Sequence, residues 1–298
     1  MLPIWYNDYK NLIEKSIINY LDNYFKDKFL SKPLNDFKES IYYATKWWKK
    51  IRAIFALEFY LIITWKKLEE IKIDDDILKL CIALEFVHAY SLVHDDLPAM
   101  DNDDYRRWEL TTWKKFWEAN WILAWDMLNS LWFEVLSEIQ NKEIWIKLIK
   151  LLSNSIWFFW MLWWQVEDIY FENNFSELNL EKLSSLHAKK TWALIKTSIL
   201  WWIVLAWKND LINIFEKYAE NIGLAFQIKD DILDVEWTLE ETWKSVGWEN
   251  KWFVYFHWLE KSKNILNDLT SESLEILKNL EKNEKLVFLT EYIRSRNK

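Results

Sequence analysis

Two runs of carboxylates, far apart along the chain, are the residues best suited to chemistry. The first is His94-Asp95-Asp96-Leu97-Pro98-Ala99-Met100-Asp101-Asn102-Asp103-Asp104, followed one residue later by Arg106 and Arg107. The second is Phe226-Gln227-Ile228-Lys229-Asp230-Asp231-Ile232-Leu233-Asp234, in which Asp230 and Asp234 stand one helical turn apart on a shared face. Carboxylates crowded in this way repel one another unless a cation joins them, and hard oxygen ligands suit Mg²⁺. Mg²⁺ held by only a few carboxylates completes its shell with water and phosphate oxygens. Arg106 and Arg107 add bidentate phosphate donors. The chemistry this pattern predicts is a diphosphate held between metal and arginine, poised to leave.

An acidic run is ordinarily a solvated face, but apolar residues embed both runs here. A calcium loop fails on its own pattern. Begun at Asp101, it puts Tyr105 at a ligand position and Arg106 where the turning Gly belongs.

The elements that must position these residues read as helices. Pro occurs only at 3, 33 and 98, and the segments between carry apolar residues at helical spacing. Ile77, Cys81, Leu84 and His88 form one stripe; Phe215, Tyr218, Ile222 and Ala225 form another. Alternating strand patterns and Asn-Gly or Asp-Gly hairpin signals are missing. Polar clusters at 30–36, 72–76, 172–179 and 271–273 read as connections. The prediction is an all-α chain forming a single domain over 1–298.

Bulk composition narrows the function. With 28% charged and 51% hydrophobic residues in 298, the chain can bury a sizeable core. A net charge of −8 argues against a nucleic-acid partner held by phosphate contacts. Cys81 is the single cysteine, which excludes an intramolecular disulfide and fits a reduced cytoplasm. The first residues lack a basic segment followed by an apolar one. The apolar stretches 156–164 and 198–207 fall short of a membrane span of about 20 residues, so no membrane insertion is expected.

One feature of the composition is anomalous: 24 Trp against 2 Gly, where Gly is ordinarily about 7% of residues. Many Trp stand where a chain turns or packs closely, positions that need Gly for positive φ or close approach. An indole there overpacks at about 1–3 kcal/mol per site. The pattern fits a gene in which a stop codon is read as Gly, translated with a table that reads it as Trp.

Taken with Trp47-Trp48-Lys49-Lys50-Ile51-Arg52, Lys190-Thr191-Trp192 and Thr242-Trp243-Lys244, the two aspartate motifs resemble the short-chain polyprenyl diphosphate synthases, in particular the bacterial farnesyl type. The likeness runs from about residue 40 to the C-terminal Tyr292 to Lys298. At Trp47, Trp48, Trp117, Trp125, Trp160, Trp163, Trp164, Trp192 and Trp243 that family has Gly; Ala53 replaces its usual Pro.

The resemblance implies an all-α bundle of roughly ten or more helices around a central cavity, and a homodimer. It also implies ionisation of an allylic diphosphate, attack by isopentenyl diphosphate and loss of a proton to the departing diphosphate. About three Mg²⁺ ions fall to Asp95, Asp101 and Asp168 on one side and Asp230 on the other, with Asp96, Asp231 and Asp234 ligating directly or through water. Arg106, Lys190 and Lys244 grip the allylic diphosphate, with Lys251 shortly after. Lys49, Arg52, His88 and Arg107 grip that of isopentenyl diphosphate. Thr191 and Gln227 face the cation with oxygen dipoles.

Tyr90 lies five residues before Asp95, roughly 7 Å along a helix at about 1.5 Å per residue. There its ring, with Ser91 beside it, is either a floor that stops the product at farnesyl length or a residue of helix packing. Geranylgeranyl diphosphate is the alternative product. A terpene cyclase shares the first motif, but Asp230-Asp231-x-x-Asp234 favours elongation. If the Trp are literal, Trp108 and Trp192 crowd the cavity, and a non-catalytic subunit is the competing reading.

Overall fold

Apolar residues at helical spacing build the chain, and α4 (Asp76–Asp95) shows how. It is buried on almost every side, from Ile77 and Leu78 through Val93, as a helix apolar all round must be. Pro98, three residues past its end, cannot continue it. The computed structural model describes residues 2–26, 31–46, 49–100, 102–106, 109–156, 166–167, 169–171, 174, 177, 179, 182, 192–236, 254 and 257–296.

The chain divides into two compact units, Met1–Leu61 with Trp65–Ile149, and Ile62–Thr64 with Lys150–Lys298. In the first unit, α1 (Ile4–Phe25), α2 (Lys32–Lys46) and α6 (Glu118–Ser137) pack on α4. Ala124, Leu128, Leu131 and Val135 supply the buried stripe of α6. Before α4 comes α3 (Ile51–Thr64). Between α4 and α6 lie a two-residue antiparallel ladder, β1 (Tyr105–Arg106) with β2 (Glu109–Leu110), and the single turn α5 (Thr112–Lys115). Asn141 Oδ1 accepts the backbone N–H groups of Glu143 and Ile144 and so caps α7 (Lys142–Ile156).

In the second unit α9 (Ile212–Glu236) packs against α8 (Trp192–Leu205), α10 (Leu259–Leu277) and α11 (Glu284–Ser295). Phe215, Tyr218, Ile222 and Ala225 are all buried on α9, as their spacing predicts. Tyr218 and Thr290 share a 2.8 Å hydrogen bond that ties α9 to α11.

The all-α reading is borne out, with two corrections. Segment 32–36 opens α2, and segment 271–273 lies inside α10. Thr270 and Ser273 satisfy their hydroxyls on the carbonyls of Leu266 and Leu269, so these polar residues sit within a helix without competing for a turn. A second difference concerns α4, whose mean hydropathy of 1.4 over 18 residues would suit a membrane span by composition. Its window is 72% buried inside the protein, which makes it a core helix.

Among the described residues, three Trp adopt left-handed backbone: Trp65 at φ 58°, Trp207 at 56° and Trp258 at 60°. Lys208 N–H bonds the Ile203 carbonyl and Trp207 N–H that of Val204, a Schellman closure of α8 with Trp207 at the position that Gly ordinarily fills. Lys66 N–H likewise reaches Leu61 past Trp65. Trp258 combines φ 60° with ψ 153°, a region occupied almost only by Gly.

Burial pushes the phenols of Tyr9, Tyr20, Tyr90 and Tyr218 above their ordinary value. A group that binds its proton more tightly when folded contributes stability that is complete below its unfolded pKa, about 10 for Tyr, and declines as pH rises beyond it. The thermal midpoint is therefore expected to fall from about pH 10 upward, the buried phenolates absorbing only as the chain unfolds. Ionisation of these four in the folded protein at their ordinary pKa would contradict this.

Candidate active site

The first aspartate motif begins on the last turn of α4, whose C-terminal end carries the negative pole of the helix dipole. Asp95 is half-buried there and Asp96 is buried at 3% exposure. Folding alone disfavours carboxylates at this pole, so their position calls for a cation. Arg106 of β1 supplies one. Its Nε and Nη2 lie 2.7 and 2.6 Å from Asp96 Oδ1, and Nη2 is 3.6 Å from Asp103 Oδ2. Burial works against the guanidinium charge, but Asp96, then Asp103 and Asp95, outweigh it and hold Arg106 firmly protonated.

The segment after α4 is pinned to its surroundings. Asn102, left-handed at φ 52°, bonds the Leu97 carbonyl, a conformation Asn tolerates well. Thr111 Oγ1 and Trp113 Nε1 both donate to the Asp103 carbonyl at 2.8 Å. Lys114 Nζ lies 2.9 Å from Asp104.

One helical face further down α4, His88 Nε2 and Arg52 Nη1 are 3.2 Å apart, so two of the residues assigned to isopentenyl diphosphate meet. Lys49, half-buried, lies three residues before Arg52, and its carbonyl accepts the Tyr6 hydroxyl at 2.6 Å. Ser91 Oγ donates to the His88 carbonyl. Tyr90 is 4% exposed, and its ring stacks with Trp125 of α6 at 6.3 Å and 28°. Lys50, between Lys49 and Arg52, is wholly buried against Glu85, a pairing that sequence reasoning missed.

The second motif lies on α9. Asp231 is buried and accepts Gln227 Nε2 at 2.9 Å. Asp230 Oδ1 meets Arg296 Nη2 at 2.6 Å, and the same guanidinium donates to the Phe226 carbonyl and lies 3.9 Å over the Phe226 ring. Arg296 is a second residue that sequence reasoning missed; its only signal was a basic side chain in the terminal segment. Asp234 continues the helix one turn on. Asp101, Arg107, Asp168, Lys190, Thr191, Lys244 and Lys251 lie outside the described residues.

The donors of both motifs are carboxylate oxygens, which fits Mg²⁺. Among the described residues no three His, Cys, Asp or Glu side chains converge into a closed metal site. An Mg²⁺ ion held by only a few carboxylates would complete its shell with water and phosphate oxygens.

Residues 35–285 match the family model described as polyprenyl synthetase. The farnesyl diphosphate synthase of Micrococcus luteus is 43% identical over 224 residues, covering 73% of this chain and 76% of its own. The geranylgeranyl diphosphate synthase of Cyanophora paradoxa is 41% identical over 169 residues, covering 55% of this chain and 56% of its own. Among solved structures, the geranyltransferase of Helicobacter pylori complexed with magnesium and isoprenyl diphosphate has a TM-score of 0.78 at 29% identity, covering 99% of this chain and 97% of that one.

Proposed function

The chain belongs to the polyprenyl synthetase family, and from that premise we propose a magnesium-dependent prenyltransferase that condenses isopentenyl diphosphate with dimethylallyl or geranyl diphosphate to give farnesyl diphosphate. The observation that carries this reading is the carboxylate pair Asp95 and Asp96 at the negative pole of α4, with Arg106 bound to one of them. It supports a cation-dependent grip on diphosphate.

Asp95, Asp96, Asp101, Asp168, Asp230, Asp231 and Asp234 would hold about three Mg²⁺ ions. When bound, Mg²⁺ supplies the positive charge that stabilises a departing diphosphate. Arg106, Lys190 and Lys244 orient the allylic diphosphate, and Lys251 is a further substrate-binding residue. Lys49, Arg52, His88 and Arg107 orient that of isopentenyl diphosphate. The allylic carbon–oxygen bond breaks with its electron pair on the diphosphate. The isopentenyl double bond then forms the new carbon–carbon bond, and a proton passes to the released diphosphate. Thr191 and Gln227 turn oxygen dipoles toward the cation, and exclusion of water protects it. Tyr90, with Ser91, limits product length. The whole chain acts as one domain, as a homodimer in a reduced cytoplasm.

The Trp residues at Gly positions belong to the same proposal. Left-handed Trp65, Trp207 and Trp258 support it, and peptide sequencing of protein from its native source is expected to find Gly there. Trp at all three would overturn it.

The function is tested with purified native-sequence enzyme, isopentenyl and geranyl diphosphates and Mg²⁺. Farnesyl diphosphate is the expected product, chelation abolishes it, and Tyr90→Ala shifts it toward longer chains. Geranylgeranyl diphosphate from the unsubstituted enzyme would support the second reading, which the Cyanophora relative favours. No elongation would refute both.

A further inference from the structure

We infer that the buried Lys50–Glu85 ion pair positions Lys49 and Arg52 for isopentenyl diphosphate, an inference that rests on the function proposed above. Lys50 and Glu85 have side chains 0% and 1% exposed, with Nζ and Oε2 3.3 Å apart. Lys50 Nζ also donates to the Thr45 carbonyl at 2.8 Å, at the end of α2. A buried pair of this kind seldom stabilises a fold more than well-packed apolar residues would, while loss of one partner strands a charge. Its value here lies in where it holds the chain.

Lys50 is the residue at which the backbone turns into α3. It takes the left-handed conformation, φ 57°, and its carbonyl accepts the Ile54 N–H at 2.8 Å. A lysine bears strain in that region, and the surrounding contacts over-determine it. With Lys50 drawn inward, its neighbours are tied from separate elements: the Lys49 carbonyl by Tyr6 of α1, and Arg52 by His88 of α4. Glu85 and His88 are three residues apart on α4 and so share one face. That single face holds Lys50 through one residue and Arg52 through the other. The pair thereby sets the register of the Lys49 and Arg52 cations against the helix that ends in Asp95 and Asp96. Lys50 and Glu85 are positioning residues, since neither side chain reaches solvent.

The test is steady-state kinetics on the full-length enzyme with each substrate varied in turn. Glu85→Gln is expected to raise KM for isopentenyl diphosphate by about 10- to 100-fold and to leave KM for geranyl diphosphate within about twofold. Lys50→Arg keeps the charge and is expected to restore most of the affinity when compared with Lys50→Met. Because a stranded charge can unfold the chain, the paired change Lys50→Met with Glu85→Leu decides the matter. It is expected to melt within a few degrees of the unsubstituted enzyme and still show the selective rise in KM. An unchanged KM in that folded double variant would reduce the pair to packing and overturn the inference, while elongation by the unsubstituted enzyme leaves the proposed function standing. Failure of the unsubstituted enzyme to elongate would sink both.

Discussion

Replacing Asp95 by Ala is expected to lower kcat on the order of 10³-fold while leaving the protein as stable as before or slightly more so. The activity loss follows from removing a carboxylate assigned to the metal that stabilises the leaving diphosphate. Losing one charge-stabilising group in an active site costs about 10²–10³ in turnover, and a metal contributes several kcal/mol. The stability change has the opposite sign because Asp95 stands at the C-terminal pole of α4, where an anion is unfavourable by about 0.3–1 kcal/mol. Asp96→Ala is expected to behave differently, since it strips Arg106 of its closest carboxylate in a buried setting. The measurements are turnover at saturating substrate and Mg²⁺ and the thermal midpoint, taken on both variants. Retained activity in Asp95→Ala, or activity lost only through unfolding, would rule out the assigned role.

The second large effect concerns Trp258. Protein made with Gly at 258 is expected to be more stable than protein made with Trp by about 1–3 kcal/mol, the cost of holding a non-Gly residue in a sparsely populated backbone region. Trp207 and Trp65, also left-handed, should each contribute a similar increment, and changes at well-separated sites without shared partners add. The interior points the same way. Trp125, Trp132 and Trp201 bury indole N–H groups with no hydrogen-bond acceptor among the described residues, and an unmet buried donor costs about 1–3 kcal/mol. Denaturant midpoints of chains carrying Trp or Gly at 65, 207 and 258 provide the comparison. A higher midpoint for the Trp form would defeat the expectation.

The parts of this protein that were legible in sequence are those encoded locally. The stripes Ile77, Cys81, Leu84, His88 and Phe215, Tyr218, Ile222, Ala225 are all buried, because a helical period is read within one segment. Arg106 and Asp96 are ten residues apart and meet. What stayed hidden was encoded at a distance. Lys50 looked like one more cation beside Lys49, and nothing local assigns it to Glu85 on another helix. Arg296 and Asp230 are 66 residues apart. Ser271 to Ser273 read as a connection because hydroxyls favour turns, yet neighbouring hydroxyls in that helix bond carbonyls one turn back. Trp65, Trp207 and Trp258 escaped notice because no motif surrounds them; only the backbone angle exposes them.

The Arg296 clamp on Asp230 also bears on how the protein is made. During synthesis Asp230 leaves the ribosome 66 residues ahead of the arginine that neutralises it, so the second carboxylate motif cannot finish assembling until translation has passed that point. On the glycine reading, Trp237, Trp243, Trp248, Trp252 and Trp258 all fall within this interval. A host that treats the reassigned codon as a stop would release only fragments lacking the clamp, and a recoded gene becomes the condition for producing an intact second motif at all.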